Sequence, residues 1–497
     1  MSIKLSKIIR YMQINQIRKH PLLFLLTLAL SVRLYNITSP LIGTHSWRQS
    51  DTAAMSRNFY RNGFNLFFPE IDWGGIYGYC ETEFPIYSFI VALLYKVFGA
   101  HDFLGRLTST VCSLILIYFL YKLVLSYFNH RVAFWACFVY AILPLNIFYS
   151  RTFQPESMLL MCCIIGIYYF SNWLDSEKHI DLILSCIFVS LACLIKVLPI
   201  IYLGIPIFYL AWTKFGIKLF SKFSLWAYSI FTLGSVFSWY YHAHNIFLEY
   251  GNTFGFSADT TNRYEYNILL TLSFWTELIF RTIFRHFAIF CFPIFIVGLF
   301  ITRKREREYV FDVWLVSVML TQILVPVTSV VHEYYQLPFM LPAVVFIGKA
   351  CDRYFNTNRK AIVTCLCLTL VTGSIIYATG YMSVEKTEQS ELIKLAEEIK
   401  SITPKDTLVI SSTGGDPTLL YLSDRQGWLI DRDLNEKYIF SKQKLGAQYL
   451  VGSFDFIENY NMIPDRQKQT INHKINYILE KYPNLVRDGK NFISKIK

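Results

Sequence analysis

Apolar runs recur along most of this chain, and turns carrying Lys, Arg or His separate them in pairs. A run near 20 apolar residues suits lipid, where the backbone must satisfy its own hydrogen bonds as helix. The pattern predicts a polytopic α-helical membrane protein. Composition agrees: of 497 residues, 54% are hydrophobic and 16% charged, against about a quarter charged in soluble domains. Mean hydropathy is +0.36. The formal net charge of +12 would suggest nucleic acid in a soluble chain. Here the cations gather at cytoplasmic turns, so topology accounts for much of the charge and no nucleic-acid partner is expected.

Lys4, Lys7, Arg10, Arg18 and Lys19 precede the first run, Pro21 to Ile37. The positive-inside rule places this N-terminus in the cytoplasm. Arg33 interrupts the run and no small-residue cleavage site follows, so it reads as a retained span. Further runs lie at 103–125, 132–148, 155–174, 182–195, 198–212, 223–241, 286–301, 310–327, 338–347 and 361–381. The total is about eleven spans by the length rule. Pro85 to Phe98 is too short to cross and reads as a re-entrant or interfacial helix.

The expected organisation is a transmembrane domain over 1–381, with a first external loop at 38–102, and an extracytoplasmic domain over 382–497. The latter mixes charges of both signs. It has a helical period over Glu391 to Ile399 and strand-like runs at Thr407 to Ser411 and Gln448 to Val451, which imply a small α/β fold. Gly74, Gly75 and Gly78 mark a flexible loop. The eleven cysteines lie mostly within apolar runs and read as small packing residues. No spacing argues for a tightly held metal.

Five polar stretches fall at external span ends: His45 to Asp51, Glu81 to Pro85, Ser150 to Glu156, Lys196, and His332 to Gln336. Such density beside hydrocarbon is costly unless something binds there. Asp51 and Glu156 are the candidate bases; Arg48, Arg151 and Lys196 are the candidate cations for an anionic group. Each has a plainer alternative. Asp51 can cap a helix beginning at Thr52. Arg151 can anchor a span end in headgroups. Lys196 can snorkel to the interface. Glu156 can favour a helix start. Glu333 can sit in a structural polar network. Trp47 fits the interfacial belt, and Asp259, Arg263 and Glu265 a solvated face.

The stretches HSWRQSDTAAMSRNFYRNG, ETEFPIYSFIVALLYKVFG, FLGRLTSTVCSLILIYFLYKL, PLNIFYSRTFQPESMLL and HEYYQLPFMLP occur in that order. Together they resemble bacterial members of the dolichyl-phosphate-mannose–protein mannosyltransferase and aminoarabinose transferase superfamily, the GT-C-fold glycosyltransferases. The resemblance covers about Pro21 to Tyr381. It implies a GT-C-like bundle in a bacterial inner membrane. It also implies inverting transfer of a sugar from a polyprenyl-phosphate donor to an extracytoplasmic lipid A, polysaccharide or protein acceptor.

The family places its base in the first external loop, commonly as an Asp-Glu pair. Here the pair is absent. By the flanking Ala-x-x-Ser-Arg pattern its place falls near Arg48 and Gln49, with Asp51 about a turn later. The second family acid matches Glu156. Glu83 stands near the place of a Lys in the aminoarabinose transferases, so the phosphate contact is expected from Lys196 or Arg151. Substrate binding is expected from His45, Arg48, Gln49, Glu83, Arg151, Lys196, His332, Glu333 and Tyr335. No cofactor is firmly implied, with a divalent cation left open. The rival readings are a transporter or lipid flippase, which predicts broken spans with polar groups at mid-membrane, and a scaffold.

Overall fold

In the computed structural model, residues 20–254, 265–381, 389–430, 434–459 and 465–497 are described. The basic residues from Lys4 to Lys19, the pair Asp259 and Arg263, and the proposed boundary at 381/382 fall at or beyond the edges of these segments. The chain divides into two compact units. The first comprises Met1–Ile37, Arg106–Tyr240 and Asp259–Tyr377; the second comprises Thr38–Gly105, Tyr241–Ala258 and Ala378–Lys497. The first external loop therefore groups with the C-terminal residues.

The first unit is helical. Among the described residues, four helices are long and apolar enough to cross a membrane: Asp102–Tyr127, Glu156–Ser176, Pro199–Ser221 and Arg359–Tyr381. A fifth is added if Leu272–His286 and Cys291–Leu299, bent by 108° at their junction, form one broken span. Pro21–Leu34, His130–Ile142 and His179–Ile195 are apolar but shorter.

Several expected runs differ in their ends. The 132–148 run breaks at Leu143, whose ψ is 136°, because Pro144 opens the next helix, Pro144–Tyr149. A residue before proline is pushed out of helical geometry. The 223–241 run continues as one helix to Tyr250. The polar residues His242, His244 and Asn245 end the hydropathy signal without ending the helix. The presumed loop over 242–285 also contains the Leu272–Phe280 helix.

Close helix contacts explain two glycines. A Cβ on Gly298 would lie 2.1 Å from the Phe346 carbonyl oxygen, and one on Gly348 would lie 2.6 Å from that of Val132. Helix backbones approach this closely only where side chains are small. Arg33 is fully buried. Its guanidinium donates to Ser113 Oγ at 3.0 Å and to the Ala141 carbonyl at 3.1 Å, which explains a cation inside an apolar run.

The second unit is built on five strands: β1 (Leu408–Ser412), β2 (Gln426–Leu429), β3 (Ala447–Ser453), β4 (Asn484–Arg487) and β5 (Asn491–Lys495). Their order is β2-β1-β3-β5-β4. β1 is parallel to β2 and β3; β5 is antiparallel to β3 and β4. Alternate residues enter opposite cores, as the strand period of two requires. Val409, Val451 and Ile493 meet Leu392, Leu395 and Ile399 of the Gln389–Ile402 helix. Ile410, Leu450 and Phe492 meet Ile471, Ile475 and Ile478 of the Asp465–Leu479 helix.

The glycine-marked turn is hydrogen-bonded to the edge of this sheet. The Gly75 amide donates to the Gly427 carbonyl at 2.8 Å, and the Gly427 amide to the Asp72 carbonyl at 2.8 Å. This pairing covers the open side of β2, which a sheet otherwise leaves as a row of unpaired groups.

Candidate functional site

Within the second unit, Asp51 lies on the Ser46–Asn62 helix, which begins six residues before Thr52. Asp51 is therefore inside the helix, and the N-cap alternative does not hold. His45 occupies the cap position in left-handed backbone, φ 58°, without a side-chain cap. The Gln49 amide donates to the Thr44 carbonyl at 3.1 Å and ties the helix to the preceding turn.

The helix is mostly polar in sequence yet largely buried. Arg57 pairs with Asp72 at 2.5 Å and with Asp424 at 3.0 Å. Ser50 Oγ lies 3.4 Å from Thr418 Oγ1. These bonds satisfy polar groups that would otherwise be costly to bury.

Asp51 is 4% exposed. The Trp73 indole N–H donates to its Oδ1 at 3.0 Å. Burial pushes its carboxyl well above the ordinary carboxylate range. The Trp73 hydrogen bond and the Arg48 charge oppose that rise, while Asp416 and Asp72 add to it. Asp416 is itself raised by burial to about 6, against the opposing hydrogen bond from the Thr418 amide. Arg48 holds Glu83 at 2.5 Å and covers the Phe254 ring at 4.9 Å.

Within the first unit, Lys196 and Glu156 meet. Nζ is 2.8 Å from Oε1, and both side chains are buried. Lys196 follows the His179–Ile195 helix and Glu156 opens the Glu156–Ser176 helix. Both are held at helix ends. The ammonium also faces Tyr334 and Tyr335, 4.4 Å and 4.7 Å from the ring centres. A carboxylate and two aromatic faces are all attractive to a cation placed between them.

Glu333 accepts from the Tyr149 hydroxyl at 3.0 Å and from Arg285 at 2.7 Å. His332 stacks on Tyr334, with ring centres 5.1 Å apart. Arg151 donates to the Asn36 carbonyl at 2.7 Å and bonds the Tyr377 hydroxyl.

The predicted residues thus fall into two sets. Asp51, His45, Arg48, Gln49 and Glu83 lie in the second unit; Glu156, Lys196, Arg151, His332, Glu333 and Tyr335 lie in the first. Sequence reasoning passed over Trp73, Tyr149, Arg285 and Asp416 as partners. A tryptophan directly before two glycines was the available signal for Trp73. Among the described residues, no three of His, Cys, Asp and Glu gather as a metal-binding group.

Residues 82–242 match a family model described as dolichyl-phosphate-mannose-protein mannosyltransferase. No curated protein matches the sequence. The fold is similar to that of ArnT from Cupriavidus metallidurans bound to undecaprenyl phosphate, with a TM-score of 0.66 and 13% identity, over 95% of this chain and 97% of that one. It is also similar to the archaeal oligosaccharyltransferase AglB from Archaeoglobus fulgidus, in complex with an inhibitory peptide and a dolichol-phosphate. There the TM-score is 0.60 and identity 11%, over 94% of this chain and 73% of that one.

Proposed function

We propose that this multi-pass membrane protein, whose fold is that of the GT-C glycosyltransferases, transfers a sugar from a polyprenyl-phosphate donor to an extracytoplasmic acceptor with inversion at the anomeric carbon. The acceptor class is lipid A, polysaccharide or protein. The setting is a bacterial inner membrane, with the N-terminus cytoplasmic and the C-terminal sheet outside. We count about eleven spans, the shorter helices included.

One observation supports the reading most. Asp51 is a buried carboxylate whose affinity for a proton is raised by burial, on a helix of the loop that follows the first apolar run. In the proposed chemistry, Asp51 takes the hydroxyl or amine proton of the acceptor as it attacks the anomeric carbon. The bond from that carbon to the phosphate oxygen breaks, and its electron pair stays on the departing phosphate. Lys196, held by Glu156 and two tyrosine faces, is assigned to the negative charge that develops there. Glu156 is the second acid. His45, Arg48, Gln49, Glu83, Arg151, His332, Glu333 and Tyr335 are assigned to binding or to holding these groups.

The test is purified full-length protein given a panel of undecaprenyl-phosphate-linked monosaccharides, with release of undecaprenyl phosphate as the readout. Release with at least one donor is expected. Mass spectrometry of surface glycans with and without the gene then identifies the product. No release with any donor, together with unchanged glycans, overturns the reading.

One feature favours the transport reading: the 108° bend between Leu272–His286 and Cys291–Leu299, since discontinuous spans mark transporters. Lipid flux into vesicles without chemical transfer would decide for it.

A further inference from the structure

Trp73 is shared by two packed cores of the second unit. One side of it meets the first-loop core of Met55, Phe59, Ile71, Cys80 and Ala92. It also packs against the C-terminal core that contains Leu392, Leu395, Val409 and Val451. The residues on either side are fixed to the sheet edge. Asp72 accepts from the Gly427 amide, and Gly74 pairs with Trp428 in an antiparallel bridge. Behind the turn, a Cβ on Gly75 would lie 2.8 Å from the Trp428 indole nitrogen, so the loop and this ring are in contact without slack. From this clamped position the Trp73 N–H reaches Asp51 Oδ1.

We propose that Trp73 is a positioning residue for Asp51, and that the C-terminal sheet acts in catalysis by holding the Trp73 turn in place. This assigns a role to the C-terminal residues and rests on the reading of Asp51 as base. An N–H donated to one carboxylate oxygen fixes the plane of the group and leaves the other oxygen for the acceptor's proton. The same bond stabilises the ionised form. The indole is thus set to orient the base and to keep its affinity for a proton within a useful range.

Among the described residues, four charged or titratable groups act on Asp51 or are acted on by it. Arg48 stands on its own helix, Asp72 and Cys80 on the segment that follows, and Asp416 on the turn after β1. Arg48 favours the carboxylate; Asp72 and Asp416 oppose it. Asp416 therefore gives a second handle, because its effect on Asp51 is coulombic and asparagine keeps a side-chain oxygen to accept from the Thr418 amide.

The experiment compares wild type, Trp73→Phe, Asp416→Asn and Asp51→Asn as full-length proteins in detergent. The readout is the pH profile of undecaprenyl-phosphate release from the undecaprenyl-phosphate-linked donor panel, with thermal stability and abundance measured alongside. Trp73→Phe should lower kcat at least about tenfold with little change in donor KM, and should move the acid limb to higher pH. Asp416→Asn should move that limb to lower pH. Limbs that coincide with wild type, or a Trp73→Phe protein that loses only thermal stability, would overturn the positioning role. In those cases an inactive Asp51→Asn leaves the glycosyltransferase reading standing. A fully active Asp51→Asn overturns the positioning role together with the assignment of the base.

Discussion

Lys196 Nζ sits 2.8 Å from Glu156 Oε1, and the two buried side chains are 40 residues apart in the chain. Each closes the end of a different helix, so the pair also fixes where those helices end relative to one another. A buried ion pair loses more when one member is removed than when both are replaced, because the survivor is left as an unpaired charge.

Lys196→Met should therefore destabilise the protein by about 3–5 kcal/mol. The double change Lys196→Met with Glu156→Leu should recover most of that loss. Thermal unfolding in detergent measures both. On the proposed roles, transfer stays absent in the double variant although folding returns.

Asp51 gives a pH-dependent prediction. Its folded carboxyl binds a proton more tightly than the unfolded one, whose ordinary value is 3.8. The contribution of Asp51 to stability should fall as pH rises above that value, since at this group the folded state then holds more protons than the unfolded state. Asp51→Asn lacks the penalty. The variant should unfold at a temperature about 2 °C or more higher at neutral pH, with the difference shrinking toward pH 4.

Asp424 behaves in the opposite sense. Burial raises its carboxyl, but the Arg61 hydrogen bonds and the charges of Arg57 and Arg61 outweigh this and hold it at about 2. The stability it contributes is present above the ordinary value of 3.8 and is lost as pH falls toward 2. Asp424→Asn should cost about 1 kcal/mol at neutral pH, allowing for screening of a partly exposed group. Denaturation curves for variant and wild type should converge in acid.

Gly348→Val should disrupt the packing of the Met340–Tyr354 helix on the His130–Ile142 helix, since the first side-chain carbon already meets the Val132 carbonyl. The expected loss is about 1–3 kcal/mol. It should appear as reduced membrane abundance and a lower unfolding temperature.

The sequence made some of this plain and hid the rest for physical reasons. Hydropathy marks burial, so it found the apolar helices and the small α/β sheet. It placed the start of the Phe223–Tyr250 helix and missed its end, because a helix that continues past its apolar part carries no such mark. It also began the first-loop helix too late, because the polar residues from Ser46 to Thr52 are buried by hydrogen bonds and ion pairs rather than by hydrophobicity. Glu156 and Lys196 were both legible as polar groups at span ends. Their pairing was not, because it depends on how two helices end in space. Trp73 carried the weakest signal. Its importance comes from the sheet edge that fixes its turn, and that edge is contributed by residues more than 300 positions later.

The most direct test of the central claim is the rate of undecaprenyl-phosphate release by wild-type and Asp51→Asn proteins at equal abundance, across pH. With Asp51 as base, the wild-type rate should rise through an acid limb above the ordinary carboxylate range, and Asp51→Asn should have no measurable rate at any pH. An Asp51→Asn protein with wild-type rate and an unchanged acid limb would contradict the account.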